Sequence, residues 1–250
     1  KYELPDYYYA DGNNGLNMFE ANIGFPVSSV ICASFNERLS YQEGLAIARE
    51  AKAMNLQCVL APAMNLQRNP LCGRYTEYFS EDPYLAGRMA GQESRGLEDG
   101  GVSSCMKHFF ANNTETMRNN NHSIMSERTA RELYLAAFEY AFEVNQPDTV
   151  MTGYNSANGV YCADDEALLR GVLREEWGFA GYVMSDWNGY GDEPLNAALN
   201  AGVSWLAPGS MDDTLTKPIV TALENGSLSR ARLQKNVVDL LRVVVKRDIR

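Results

Sequence analysis

Asp186 and Trp187 end the run Gly181-Tyr-Val-Met-Ser-Asp-Trp187, in which mostly apolar residues lead straight into a carboxylate and an indole. A carboxylate is costly to bury and adds little to packing. One placed at the exit of an apolar strand is therefore a candidate for chemistry. The indole beside it offers a flat apolar face. Together they suit a sugar site: a charge for the anomeric carbon, and a face for the C–H edge of the ring. Asp186 alone could equally cap the next turn. Its company favours chemistry. Asp11, Arg74, Lys107, His108, Arg118 and Tyr154 supply a second carboxylate, three cations, an imidazole and a phenol. Neutral, hydroxyl-rich ligands are gripped by such donors and acceptors around an apolar face. Each residue taken singly has an ordinary alternative. Arg74 could pair with Glu77 or Glu81, Lys107-His108 could be a solvated strand end, and Trp187 could be core.

Other chemistries find no support. The two histidines, His108 and His122, lack H-x-x-x-H spacing, and the five cysteines contain no C-x-x-C. Neither a metal site nor a disulfide framework is indicated. There is no P-loop, no G-x-S-x-G elbow and no Gly-rich dinucleotide fingerprint, so no cofactor is expected. The net charge of −10, with no basic cluster, argues against nucleic acid or an anionic membrane as partner. No apolar run approaches the roughly 18 residues of a membrane span. The chain starts at Lys1 without a signal peptide and reads as a mature, trimmed or excised piece, cytoplasmic or secreted after processing.

The elements that must position these residues are short apolar runs alternating with helical patterns. Strands are expected at Tyr7–Ala10, Val27–Ala33, Cys58–Met64, Val102–Met106, Thr149–Gly153, Tyr182–Ser185 and Val203–Ala207. Helices are expected from the Ser40-x-x-Glu43 capping box to about Met54, from Asp82-Pro83, and from Glu127. More follow from Asp164, over Pro194–Ala201 and over Asp213–Asn225, and a last one runs from Ser229 to about Lys246. Strand-then-helix repetition predicts a parallel α/β fold. The candidate residues collect just after strands, which in a (β/α)8 TIM-type barrel is the C-terminal rim where active sites lie. Seven strands are evident rather than eight, so an irregular or incomplete barrel is expected, as a single domain over residues 1–250.

Four collinear segments then resemble glycoside hydrolase family 3. Lys107-His-Phe-Phe-Ala-Asn-Asn-Thr-Glu-Thr-Met-Arg118 resembles its K-H-F-x-x-N-x-x-E-x-x-R stretch. Arg68-Asn-Pro-Leu-Cys-Gly-Arg74, with Glu77 and Ser80-Glu-Asp-Pro83, resembles its R-x-P-x-x-G-R…E…S-E-D-P loop. Val150 to Gly159 resembles V-M-x-S-Y-N-x-x-N-G, and Leu173 to Trp187 resembles L-R-x-E-W-G-F-x-G-x-V-x-S-D-W. The resemblance implies a retaining, exo-acting β-glucosidase with a barrel as its first domain. Asp186 would be the nucleophile, forming a glycosyl-enzyme intermediate. Asp11, Arg74, Lys107, His108 and Arg118 would hold the hydroxyls of the terminal β-D-glucosyl unit, with Tyr154 near the nucleophile and Trp187 bordering the sugar. The acid/base Glu would come from a second α/β domain, which this chain does not contain, or from another chain.

Two departures bear on this. Where the family shows D-G-P-x-G-x-R, the chain reads Asp11-Gly-Asn-Asn-Gly-Leu-Asn17, which leaves the geometry of that loop open. Phe110-Ala-Asn112 stands where the N-acetylhexosaminidase branch has P-G-H, with its acid/base His, which disfavours that branch. Two other functions fit the same scaffold: a non-catalytic carbohydrate-binding module, and a related β-xylosidase, arabinosidase or phosphorolytic enzyme.

Overall fold

A computed structural model of the chain describes residues 3–19, 22–191 and 195–247. Six parallel strands form the central sheet: β1 (Tyr9–Asp11), β2 (Cys58–Leu60), β3 (Ser103–Phe109), β5 (Thr149–Thr152), β8 (Tyr182–Met184) and β9 (Val203–Trp205). They are hydrogen-bonded in that order. A second, three-stranded sheet joins β4 (His122–Ser123), β6 (Ser156–Ala157) and β7 (Val160–Tyr161). The sheet curls until its two ends meet: the Tyr9 and Trp205 rings lie edge to face at 4.9 Å. The result is an irregular (β/α)8-type barrel. It has one strand fewer than the sequence suggests, because Val27–Ala33 does not enter the sheet. That run forms a helix, α1 (Ser28–Ala33), which buries Ser28, Ile31 and Cys32. The i, i+3, i+4 spacing is helical, and an apolar run this short does not separate strand from helix by periodicity.

Strand periodicity decides what fills the barrel and what faces the helices. Ala10, Val59, Met106, Val150 and Val183 point outward, to α2 (Glu37–Ala53), α3 (Pro83–Asp99) and their neighbours. Cys58, Leu60, Cys105, Met151, Tyr182 and Met184 form the inner cluster together with Tyr7, Tyr9 and Trp205. Two residues beyond Tyr9, Cys105 and Met184 on the same face come Asp11, Lys107 and Asp186. The pattern that packs the interior therefore also delivers these three side chains to the rim.

Helix starts differ from the sequence expectation in two places. Asn36, not Ser40, caps α2, accepting from the Leu39 amide at 3.2 Å. The Ser40 hydroxyl is buried and donates to the Met89 carbonyl of α3. Asp165 rather than Asp164 caps the wide-turned π-helical segment Ala167–Glu176, and Asp164 instead accepts from the Gly191 amide. Asp82 caps α3 as expected. A helix runs from α4 (Glu127–Thr129) through a π-helical turn (Ala130–Leu135) into α5 (Ala136–Val144). The helix expected from Pro194 is observed as α6 (Asn196–Ala201), with Pro194 itself outside the described residues. α7 (Asp213–Glu224) and α8 (Arg230–Lys246) complete the chain.

At the N-terminal end of the barrel a charged cluster ties the end of α8 to the sheet. Asp148 accepts from Lys246, Arg247 and the Ser103 hydroxyl at 2.6, 2.6 and 2.9 Å. Glu98 accepts from the Asp148 amide at 2.7 Å and lies 3.4 Å from Arg247. Burial, and then the charge of Asp148, push the Glu98 carboxyl up to about 7 against the pull of Arg247. No helix among the described residues is long and apolar enough to cross a membrane.

Candidate active site

All eight candidate residues line one cleft of about 420 Å³ on the C-terminal rim. Asp11 comes from the end of β1, Lys107 and His108 from β3, Tyr154 from just after β5, and Asp186 and Trp187 from just after β8. Arg74 and Arg118 come from the long loops after β2 and β3. β3 shifts register between Lys107 and Phe109. Such an irregularity re-aims side chains, and here two consecutive residues, Lys107 and His108, both reach the cleft.

Asp186 lies at the floor, 6% exposed. Its Oδ1 accepts the Trp187 amide at 2.8 Å, while its buried Oδ2 takes no hydrogen bond. Burial raises the pKa of this carboxyl above the ordinary value, and the Trp187 amide, the Tyr154 hydroxyl, Arg74 and Lys107 each pull it back. The Tyr154 phenol is pushed up to about 12, by burial and then by the negative charge of Asp186. It remains a neutral phenol beside the carboxylate.

His108 Nε2 lies 3.5 Å from Asp186 Oδ2. This is not an ion pair. Burial holds the His108 pKa well below its ordinary value, and Arg74, Lys107 and Arg118 add to the depression, so the ring is neutral. Asn65 holds this residue on three sides. Its Oδ1 accepts the His108 amide at 3.0 Å and lies 3.4 Å from Nδ1, and its Nδ2 donates to the His108 carbonyl at 2.9 Å.

The cations are individually anchored. Lys107, 1% exposed, donates to Asp11 at 2.8 Å. Arg74 makes a two-point contact with Glu77 at 2.8 and 3.2 Å. Burial alone would lower the pKa of Arg74, and the Glu77 carboxylate more than offsets that. Arg118 lies 4.0 Å over the Tyr154 ring and donates to Glu115 at 2.9 Å. A cation over an aromatic face contributes about 0.5–2 kcal/mol, which fixes the guanidinium against the rim. Asn13, where the family pattern has Pro, donates to Glu77 at 3.0 Å. The departing loop is thereby tied to the same carboxylate that holds Arg74. Trp187 is 36% exposed and packs edge to face on Tyr9.

Sequence reasoning did not assign Glu77, Met151 or Asn65 to the site. Glu77 and Met151 line the cleft, and Asn65 acts through His108. Met151 looks like core in a strand. Asn65 has one available signal, its place immediately after the apolar run of β2. Glu77 and Glu115 are both committed to arginines. Among the described residues, no group of three or more His, Cys, Asp or Glu is placed to hold a metal ion.

Comparison with known proteins gives a consistent result. The profile of the "Glycosyl hydrolase family 3 N terminal domain" matches residues 2–243. Thermostable beta-glucosidase B of Acetivibrio thermocellus is 40% identical over 88% of this chain and 29% of its own length. An exo-alpha-(1->6)-L-arabinopyranosidase of Bifidobacterium longum is 38% identical over 97% of this chain and 33% of its own. Beta-glucosidase 3B from Thermotoga neapolitana, solved in complex with alpha-D-glucose, superposes with a TM-score of 0.89 at 41% identity. That match covers 96% of this chain and 35% of the other. The chain spans about a third of the length of these relatives.

Proposed function

We propose that this chain, which belongs to glycosyl hydrolase family 3, is the barrel domain of a retaining β-glucosidase acting on terminal non-reducing β-D-glucosyl residues. The observation that carries this reading is Asp186. It is a buried carboxylate at a strand exit, with one oxygen fixed by a backbone amide and the other without a donor, on the floor of a cleft ringed by three cations.

In the first step Asp186 Oδ2 attacks the anomeric carbon as the bond to the leaving oxygen breaks, giving a glycosyl ester on Asp186. The leaving oxygen takes a proton from a general acid. Water then attacks the ester with the acid acting as base, releasing glucose with retained configuration. Arg74 and Lys107 favour the ionised form of Asp186. Asp11, Arg74, Lys107, His108 and Arg118 hold the sugar hydroxyls. A neutral His108 can donate from one ring nitrogen and accept at the other, which suits a hydroxyl partner. Trp187 offers its exposed face to the ring. Glu77 and Glu115 are occupied by Arg74 and Arg118; the family resemblance assigns the acid/base Glu to a second α/β domain or chain. The further domain fits the greater length of the relatives.

The test is intact-mass spectrometry after incubation with a 2-deoxy-2-fluoro-β-glucoside bearing an activated leaving group, followed by peptide mapping. An activated group needs little acid assistance, so the nucleophile is examined independently of the general acid. The expected result is one sugar on Asp186. Glucose binding without any adduct would instead support a non-catalytic carbohydrate-binding module. The arabinopyranosidase relative favours one alternative specificity. Aryl β-glucosides, β-xylosides and α-L-arabinopyranosides assayed side by side, with and without phosphate, separate them, and the β-glucoside is expected to react fastest.

A further inference from the structure

The loops that supply Arg74 and Arg118 also enclose a second cleft, of about 360 Å³, which shares no lining residue with the first. Its walls include Arg68, Asn113, Asn121, His122, Ser123 and Tyr134. Two of these have capacity to bind that the protein leaves unused. Asn113 is 8% exposed. Its amide nitrogen donates to the Leu66 carbonyl, but its buried Oδ1 receives no hydrogen bond. Arg68 lies 5.7 Å over the Tyr134 ring and has no carboxylate partner among the described residues. A buried amide oxygen without a donor costs roughly 1–3 kcal/mol, so this wall gains from any ligand that supplies one.

The chemistry of the two groups selects the ligand. A hydroxyl carries both the donor that Asn113 Oδ1 lacks and an acceptor for the Arg68 guanidinium. An inorganic anion would satisfy Arg68 but set its charge against an acceptor oxygen. An apolar ligand would satisfy neither. The volume lies at the small end of the roughly 300–1,000 Å³ typical of small-molecule sites, and hydroxyl and amide side chains dominate the wall. We propose that this second cleft is a non-catalytic binding site for a sugar unit, held by Arg68 and Asn113. The proposal rests on the glycoside reading above. The two clefts are also joined through the chain: Asn112, adjacent to Asn113, donates to Glu115 at 3.2 Å, and Glu115 holds Arg118 in the catalytic cleft.

The chain's two histidines provide one reporter for each cleft, His108 in the first and His122 in the second. Histidine-labelled protein titrated with D-glucose at fixed pH, and separately with inorganic phosphate, is followed by NMR. Glucose is expected to move both resonances, with different midpoints. Arg68→Ala, a change at an exposed side chain, should weaken the His122 response about tenfold, as expected for one charged hydrogen bond. The His108 response should stay where it was. Asn113→Ala should weaken the His122 response as well. The proposal falls if glucose moves His108 but not His122. It also falls if both move at one midpoint that Arg68→Ala does not alter, or if phosphate rather than glucose moves His122. In all three cases the glycoside reading of the first cleft stands. If neither resonance moves, both readings fall.

Discussion

The two ends of the barrel hold charged clusters of similar composition and opposite character. At the N-terminal end, Asp148 takes three donors and Glu98 takes the Asp148 amide and the Ser104 hydroxyl. These charges are used up by one another. At the rim, Asp186 Oδ2 has no donor, Asp11 is half-exposed beside Lys107, and a neutral histidine faces the carboxylate. Both ends bear the desolvation cost of buried charge. Only the rim keeps capacity for something outside the protein. Internal satisfaction, rather than the number of charges, separates an anchoring cluster from a binding one.

Substitutions at each end should move different observables. The largest effect is expected for Asp186→Asn: turnover of an activated aryl β-glucoside falls by about 10⁴-fold or more, with the denaturant midpoint unchanged or raised. A fall in stability comparable to that expected of Asp148→Ala at the N-terminal end would erase the contrast. Asp148→Ala should do the reverse, leaving Lys246 and Arg247 without their shared carboxylate. Urea unfolding should show a loss of about 3–5 kcal/mol, while glucose affinity at the rim, read by calorimetry, stays constant.

The pH response sharpens the comparison. The Glu98 pKa is raised from 4.5 to about 7 in the fold. Between those values the unfolded chain has released the proton that the folded chain retains, so this residue's contribution to stability is full below about pH 4.5 and is lost as pH rises toward 7. Glu98→Gln keeps the neutral shape. It should flatten that decline by up to about 3 kcal/mol across the window, seen as converging unfolding curves at pH 5 and pH 8. A parallel decline in the variant would exclude Glu98 as its source. The smallest expected effect belongs to Asn65→Ala. Freeing His108 should weaken glucose binding about tenfold, with the histidine NMR signal broadened or shifted. Unchanged affinity would show that the β3 irregularity alone positions the ring.

Much of this was legible in the sequence because the strands are short and end in polar residues. Tyr9-x-Asp11, Cys105-x-Lys107 and Met184-x-Asp186 each show an inward residue followed two positions later by a charged one. The position of these charged residues just after strands was legible, and the local alternation is what delivers the three side chains to the cleft. What the sequence hid depends on distance in the chain. Asn65 matters because it meets His108, 43 residues away. The sequence left Glu77 and Glu81 as alternative partners of Arg74, and only the fold brings Asn13, 64 residues away, onto Glu77 as well. Ser40 had the spacing of a cap, but a tertiary hydrogen bond to α3 claimed its hydroxyl. Val27–Ala33 had strand composition, and the burial of one helical face overrode it.

One consequence follows from the way the barrel closes. Among the described residues, β1 pairs only with β2 and β9 only with β8. The join between them is made by Tyr9 against Trp205, with Leu240 and Val243 of α8 in the same cluster. The ring is thus fastened by a clasp rather than welded by a ladder. Asp11 sits two residues beyond one half of that clasp, and Asp186 follows the strand paired to the other half. The width of the cleft mouth is therefore gauged by four side chains that do not line the cleft.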